Sequence, residues 1–213
     1  MQRKRAAKKL LGGILTAMAI LAIAVMNKTE KVWAYEVSGF YQYEMNDTGV
    51  TITKYTGGES DVVIPSKIAG RNVTVIGSSA FENNDLINSI KIPATINKIG
   101  YEAFQDCDSL LEVNIPDSVS EIDSSGWYPA FANCDNLTKV VIGDGIIGIN
   151  DSCFQNCPKL QMVMMGKNVQ YIGGNAFQKC VSLDNVTVPP SVKTIGSSAF
   201  EDCDSLVNLT LSY

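Results

Sequence analysis

The side chains with the most chemistry in this 213-residue chain are six cysteines, and their spacing is regular. Cys107, Cys134, Cys157, Cys180 and Cys203 each stand three residues after a phenylalanine, and Cys153 directly precedes one. An even count in an exported chain reads first as disulfides. The spacing argues against that, because one cysteine per repeat at a constant position lines a single interior stripe of small apolar side chains. Sulfurs stacked in parallel lack the crossed geometry that an S–S bond needs. Free core thiols are therefore expected. The chain has no histidine and no C-x-x-C pair, so no metal site is expected.

Catalysis fares no better. Without histidine, Ser-His and Cys-His nucleophiles are excluded. The acid pairs Asp106/Asp108 and Asp202/Asp204 flank the cysteine column, where the chain must turn. They read as solvated turns with Asx bonds, since no Gly and terminal Glu follow at calcium-loop spacing. Gly166-Lys167 lacks the earlier glycine of a phosphate loop, where Gln161 stands instead. The expectation is a non-enzyme with no catalytic residues and no cofactor.

Hydrophobic residues make up 46% and charged residues 18%, enough apolar side chain for a sizeable core. The net charge of −5 averages two unlike parts. Residues 1–34 hold seven of the 17 basic residues and one of the 22 acids, so the remainder carries 10 basic and 21 acidic residues, a net −11. Such a body repels phosphate backbones and anionic lipid, so nucleic acid and membrane surfaces are poor partners.

Residues 1–34 read as a signal peptide. Arg3 to Lys9 is a positive stretch, Leu10 to Met26 is an uncharged and mostly apolar run, and Val32-Trp33-Ala34 offers small residues before a cleavage at Tyr35. The rival is an uncleaved anchor, for which 17 residues is at the short limit. Both place the body outside the cytoplasm, secreted or on a cell surface, and the signal has a bacterial character. The Asn136-Leu137-Thr138 sequon matters only in a glycosylating secretory pathway.

What would position these residues is a repeat. Ala-Phe or Cys-Phe recurs at Phe81, Phe104, Phe131, Phe154, Phe177 and Phe200, in steps of 23 residues with one step of 27. Before each pair comes an alternating strand, as in Val113-Asn114-Ile115 or Val186-Thr187-Val188. It ends at Pro93, Pro116 or Pro189, or at Gly143 or Gly166. Two inward anchors follow, such as Val192 and Ile195. The column Gly77, Gly100, Asp123, Asn150, Gly173 and Gly196 then reads as a left-handed turn. Ser79-x-x-Glu82, Ser152-x-x-Gln155 and Ser198-x-x-Glu201, with Asn175-x-x-Gln178 as a variant, read as capping boxes that open a short helix. No rung can cover its own apolar face, so rungs must stack. The expected fold is an α/β solenoid, with one parallel strand and one short helix per 23-residue rung. Residues 35–61 form an N-terminal β-hairpin cap (Phe40 to Met45, a turn over 46–49, then Val50 to Tyr55), and residues 62–213 form six rungs.

The pattern L-x-x-V-x-(I/V)-P-x-S-V-x-x-I-G-x-x-A-F-x-x-C resembles the BspA-like, or Treponema-type, leucine-rich repeats of bacterial surface proteins, from Val62 to Leu211. Residues 49–65 also resemble the opening module of that family. The resemblance implies extracellular adhesion or binding, not catalysis.

Two surfaces rise above scaffolding. The outward strand positions are mostly polar, but Val141, Met162 and Met164, beside Lys139, form an apolar patch in the middle rungs. The four-residue insertion around Ser124 to Pro129 carries Trp127 and Tyr128, interface-type residues that either face a partner or fold back over the lengthened rung. Lys139, Val141, Met162, Met164, Trp127 and Tyr128 are thus the candidate ligand-binding residues, in two separate surfaces. The expected partner is a protein or glycan on another cell or matrix. The alternative is a structural spacer or envelope module. The sequence stops in or just after a strand with no closing cap, which favours a fragment of a longer surface protein or self-association through residues 200–213.

Overall fold

The structure, a computed structural model, describes residues 36–211. The segment read as a signal peptide, and the last two residues, lie outside that range. The described chain opens with β1 (Glu36–Ser38), β2 (Tyr41–Asn46) and β3 (Gly49–Tyr55), three antiparallel strands. Asn46 closes the β2–β3 turn, its Oδ1 accepting the backbone N–H of Thr48 at 2.9 Å and of Gly49 at 3.0 Å. β4 (Asp61–Val63) follows, then a second hairpin, β5 (Lys67–Ile68) and β6 (Arg71–Ile76), turning on Ala69 and Gly70, both at positive φ. The sequence reading missed this second hairpin.

Each later rung but the last described supplies two strands. The longer ones are β7 (Ser89–Lys91), β9 (Glu112–Ile115), β11 (Lys139–Ile142), β13 (Met162–Met164), β15 (Asn185–Val188) and β17 (Asn208–Leu211). With β4 they make one parallel sheet of seven strands, in order along the solenoid. The two-residue strands β8 (Lys98–Ile99), β10 (Glu121–Ile122), β12 (Gly148–Ile149), β14 (Tyr171–Ile172) and β16 (Thr194–Ile195) form a second wall. β8 and β10 extend the sheet of β3 and β6, whereas β12, β14 and β16 stand as a separate three-stranded sheet. The insertion lies between β10 and β12 and breaks that ladder there.

Among the described residues there is no helix, which corrects the expected strand-plus-helix rung to an all-β solenoid. The reason is rise. The phenylalanine rings of successive rungs stack with centroids 5.0–5.5 Å apart from Phe81 to Phe200. An α-helix with its side chains is about 10–12 Å across, so one per rung has no room at that spacing. The backbone instead bonds rung to rung. Ser79, Phe81 and Asn83 donate to the carbonyls of Tyr101, Ala103 and Gln105, while Ala80 and Glu82 close tight turns onto Gly77 and Ser79.

That geometry also overturns two local readings. The capping-box residues Ser79, Ser152, Asn175 and Ser198 sit at positive φ, between 54° and 56°, which is not the conformation of an N-cap. Conversely, the column of Gly77, Gly100, Asp123, Asn150, Gly173 and Gly196 has no positive φ. Its glycines answer a close approach instead. A Cβ on Gly100 would lie 2.6 Å from the Ser78 nitrogen, and one on Gly196 would lie 2.5 Å from the Gly174 nitrogen. The left-handed residues fall two places later, and again two places after the phenylalanine, as at Asn83, Asp106, Asn133 and Asn156.

The interior is one continuous column. Tyr55 of the cap stacks on Phe81 at 5.2 Å and begins the ring ladder. All six cysteines are free and buried. Five of them reach back along the solenoid, Cys107, Cys134, Cys157, Cys180 and Cys203 placing Sγ 3.1–3.3 Å from the carbonyls of Phe81, Phe104, Phe131, Phe154 and Phe177. The thiol column thus adds weak S–H donors to its apolar packing.

Candidate binding surfaces

The seven-stranded sheet turns alternate residues inward, so its outward face is two rows of side chains running along the solenoid. Register aligns Glu112, Lys139, Met162 and Asn185 in one row, and Asn114, Val141 and Met164 in the other. Polar neighbours in the first row bond to each other. Ser89 donates to Asp61 at 2.5 Å, Asn208 donates to Asn185 at 3.0 Å, and Lys139 pairs with Glu112 at 3.6 Å. Met162 and Met164 interrupt this pattern, 50% and 52% exposed, with Val141 half-buried beside Met164.

A groove of about 680 Å³ runs across the far ends of β7, β9, β11 and β13. Val141 and Met164 line it, together with Pro116, Asp117, Gly143 and Asp144. A smaller hollow of about 280 Å³ at the opposite strand ends takes in Lys139 and Met162. The four sheet-face candidates therefore flank one region. The groove itself was missed in the sequence, although a signal was there. The residue after the strand is proline at 93, 116 and 189 but glycine at 143 and 166. Both glycines line the groove, together with Pro116. Gly143 is also obligatory, since a Cβ there would lie 2.6 Å from both Asp117 N and Pro116 C. The groove rim is a small polar ladder. Asp144 accepts the Lys167 backbone N–H at 2.9 Å and the Lys167 ammonium at 2.8 Å, which lowers the Asp144 pKa, and its own N–H donates to Asp117 at 2.8 Å.

The insertion forms the second surface, and neither hollow includes it. Trp127 is 87% exposed, so it does not fold back over the lengthened rung. Tyr128 packs edge-on against Tyr101, ring centroids 6.1 Å apart. Beneath them the buried Ser124 hydroxyl donates to the Asp151 carbonyl at 2.9 Å and accepts the Ala130 N–H at 3.2 Å, closing the loop at its base.

The acid pairs beside the cysteine column behave as turn residues. Asp106 accepts from Gln105 at 2.9 Å and from Asn133 at 2.8 Å. Burial raises the Asp108 pKa, with help from the like charges of Asp135, Asp85 and Asp106.

The repeat has known counterparts. The profile described as the BspA type leucine rich repeat region matches residues 60–128 and 127–213, in six copies. A leucine-rich cell surface protein of Faecalibacterium prausnitzii is 32% identical over 81% of this chain and 53% of its own, with a TM-score of 0.61. The Treponema pallidum leucine-rich repeat protein is 28% identical over 81% of this chain and 69% of its own, at 0.51. A leucine-rich repeat protein of Eubacterium ventriosum, 24% identical, matches 83% of this chain and 45% of its own at 0.72, a likeness of fold. The chain thus spans about half the length of the F. prausnitzii protein. No curated protein matches it.

Proposed function

Starting from the BspA-type leucine-rich repeat family, to which this chain belongs, we propose that it is a non-catalytic surface module that holds a protein partner on its sheet face. The description of the F. prausnitzii relative as a cell surface protein supports an extracellular place, as does the positively charged and then apolar sequence of residues 1–34.

The observation that carries the reading is the coincidence of apolar patch and groove. Val141 and Met164 line the larger hollow and Lys139 and Met162 the smaller, on a sheet whose other outward residues are polar apart from Val63 of β4. Methionine side chains adapt to varied apolar contacts, and an exposed patch of this kind gains free energy when covered. The groove runs across the strands and so lies along the solenoid, where an extended segment of a partner fits.

The test is binding of the immobilised full chain to a panel of purified extracellular-matrix glycoproteins, before and after deglycosylation. Val141→Lys and Met164→Lys are expected to lower affinity about tenfold or more, the scale of a central interface residue. Thr187→Lys, outward on the neighbouring β15, leaves it unchanged. Binding lost on deglycosylation would assign the face to glycan, and binding indifferent to both groove variants would favour the spacer role.

A further inference from the structure

We propose that Trp127, Tyr128 and Tyr101 form a second contact surface, a stacking platform for an uncharged glycan. Trp127 is 87% exposed, the most of any large apolar residue among the described residues; Tyr128, next in the chain, is 54% exposed, and Tyr101, in ring contact with Tyr128, is 41% exposed. Leaving these rings exposed forgoes the apolar burial that Tyr43 and Tyr55 obtain in the core.

The base of the loop and Tyr128 are fixed. Ser124, buried, ties its base to the neighbouring rung through Asp151 and to Ala130. The N–H of Tyr128 bonds back to both the carbonyl and the hydroxyl of Ser125, each at 3.2 Å, and Pro129 is buried. Tyr101 fixes the Tyr128 ring from the preceding rung. The two tyrosine rings, held against each other before the ligand arrives, lose little conformational freedom on binding.

Size and charge select the ligand. A stable protein interface covers about 800 Å² per partner around a dry centre, whereas the exposed aromatic residues here number three. A sugar ring needs only a face of one aromatic ring for its C–H groups, with its hydroxyls left in water. Residues 124–130, Ser-Ser-Gly-Trp-Tyr-Pro-Ala, carry no charge, and the body from residue 35 onward is net −11. That field disfavours sialylated or sulfated sugars and leaves neutral ones.

The chain has two tryptophans, so a full-length Trp33→Phe variant reports Trp127 alone by fluorescence. The probes are neutral oligosaccharides of glucose, galactose and N-acetylglucosamine, with a sialylated oligosaccharide for comparison. At least one neutral probe is expected to give a saturable blue shift of Trp127 emission, and Tyr128→Ala to weaken it about three- to tenfold, the size of one aromatic contact. Saturation-transfer NMR contacts to the same sugar disappear in Trp127→Ala, whose circular dichroism is unchanged because the indole is in solvent. Val141→Lys and Met164→Lys keep the shift, separating this surface from the groove. No shift with any neutral probe, a preference for the sialylated sugar, or sugar contacts that survive Trp127→Ala would overturn the proposal. So would a Trp127 shift produced only by a protein ligand.

Discussion

The side-chain amide of Asn150 donates to the carbonyl of Ile122 at 2.8 Å. In the neighbouring rungs the backbone makes the equivalent bond, Gly100 N to Ile76 O, Asp123 N to Ile99 O and Gly173 N to Ile149 O, each 2.7–2.8 Å. Asn150 thus spans the place where β10 and β12 fail to pair, directly behind the insertion. Its Oδ1 accepts the Tyr171 hydroxyl at 2.7 Å, which holds the amide in orientation. The Tyr171 ring occupies the space a Cβ on Gly148 would need.

Asn150→Ala removes the donor and leaves the Ile122 carbonyl unpaired in a buried wall. The expected loss is about 1–3 kcal/mol, read by urea denaturation. Amide exchange should rise first at residues 122–124 and 148–152. Asn150→Asp keeps the shape of the side chain but has no N–H to give, so it should show the same pattern. Unchanged exchange over those residues in both variants would refute the role given to the amide.

Gly143→Ala should destabilise by roughly 1–3 kcal/mol, because its Cβ meets three backbone atoms of residues 115–117 at 2.6–2.7 Å and no flexible side chain can give way. Gly126→Ala is the control. Its Cβ meets nothing nearer than the Ser152 hydroxyl at 3.9 Å, and its φ is not left-handed. Thermal melts of the two variants should therefore separate clearly, and similar melting temperatures would count against the role assigned to Gly143.

The thiols predict an alkaline limit. Burial pushes Cys180 from 9.0 up to about 12, and Cys107, Cys153 and Cys157 also move upward, chiefly by desolvation. Because the folded pKa is raised, the native state binds more protons than the unfolded chain once pH exceeds the unfolded value. Stability is full below pH 9 and falls as pH rises from 9 toward 12 and beyond. Native protein at pH 8 should resist thiol alkylation, denatured protein should take six labels, and Cys180→Ala should flatten the alkaline slope. Fewer than six labels without reductant would mean disulfides.

At the far end of the described solenoid, inward side chains lie open. Leu209 is 45% exposed and Ile195 40%, where their counterparts Val186 and Ile172 are 2% and 1%. A lysine at Leu209 should therefore cost little stability, whereas one at Val186 would bury an unpaired ammonium and cost far more. Thermal melts of Leu209→Lys and Val186→Lys should separate clearly; equal losses would overturn the expectation.

Much of this architecture was legible before any tertiary contact was known. The 23-residue period, the inward columns through Phe104 or Cys157, and the outward patch of Val141, Met162 and Met164 all follow from alternation and from the need of each rung for a neighbour. These are local properties, set by which side chains avoid water. The turn side of each rung was not legible, since Ser79-x-x-Glu82 suits a helix start as well as a stacked turn. The choice between them depends on the 5.0 Å rise between stacked rings, a distance that exists only once rungs meet. The same holds for Gly100, which neighbouring backbone and not a left-handed φ requires, and for Asn150, whose partner lies across a gap made by residues 124–129. Trp127 could have packed inward or stood in solvent by its type alone; in the fold it stands exposed, on a loop whose base Ser124 ties to Asp151 of the next rung.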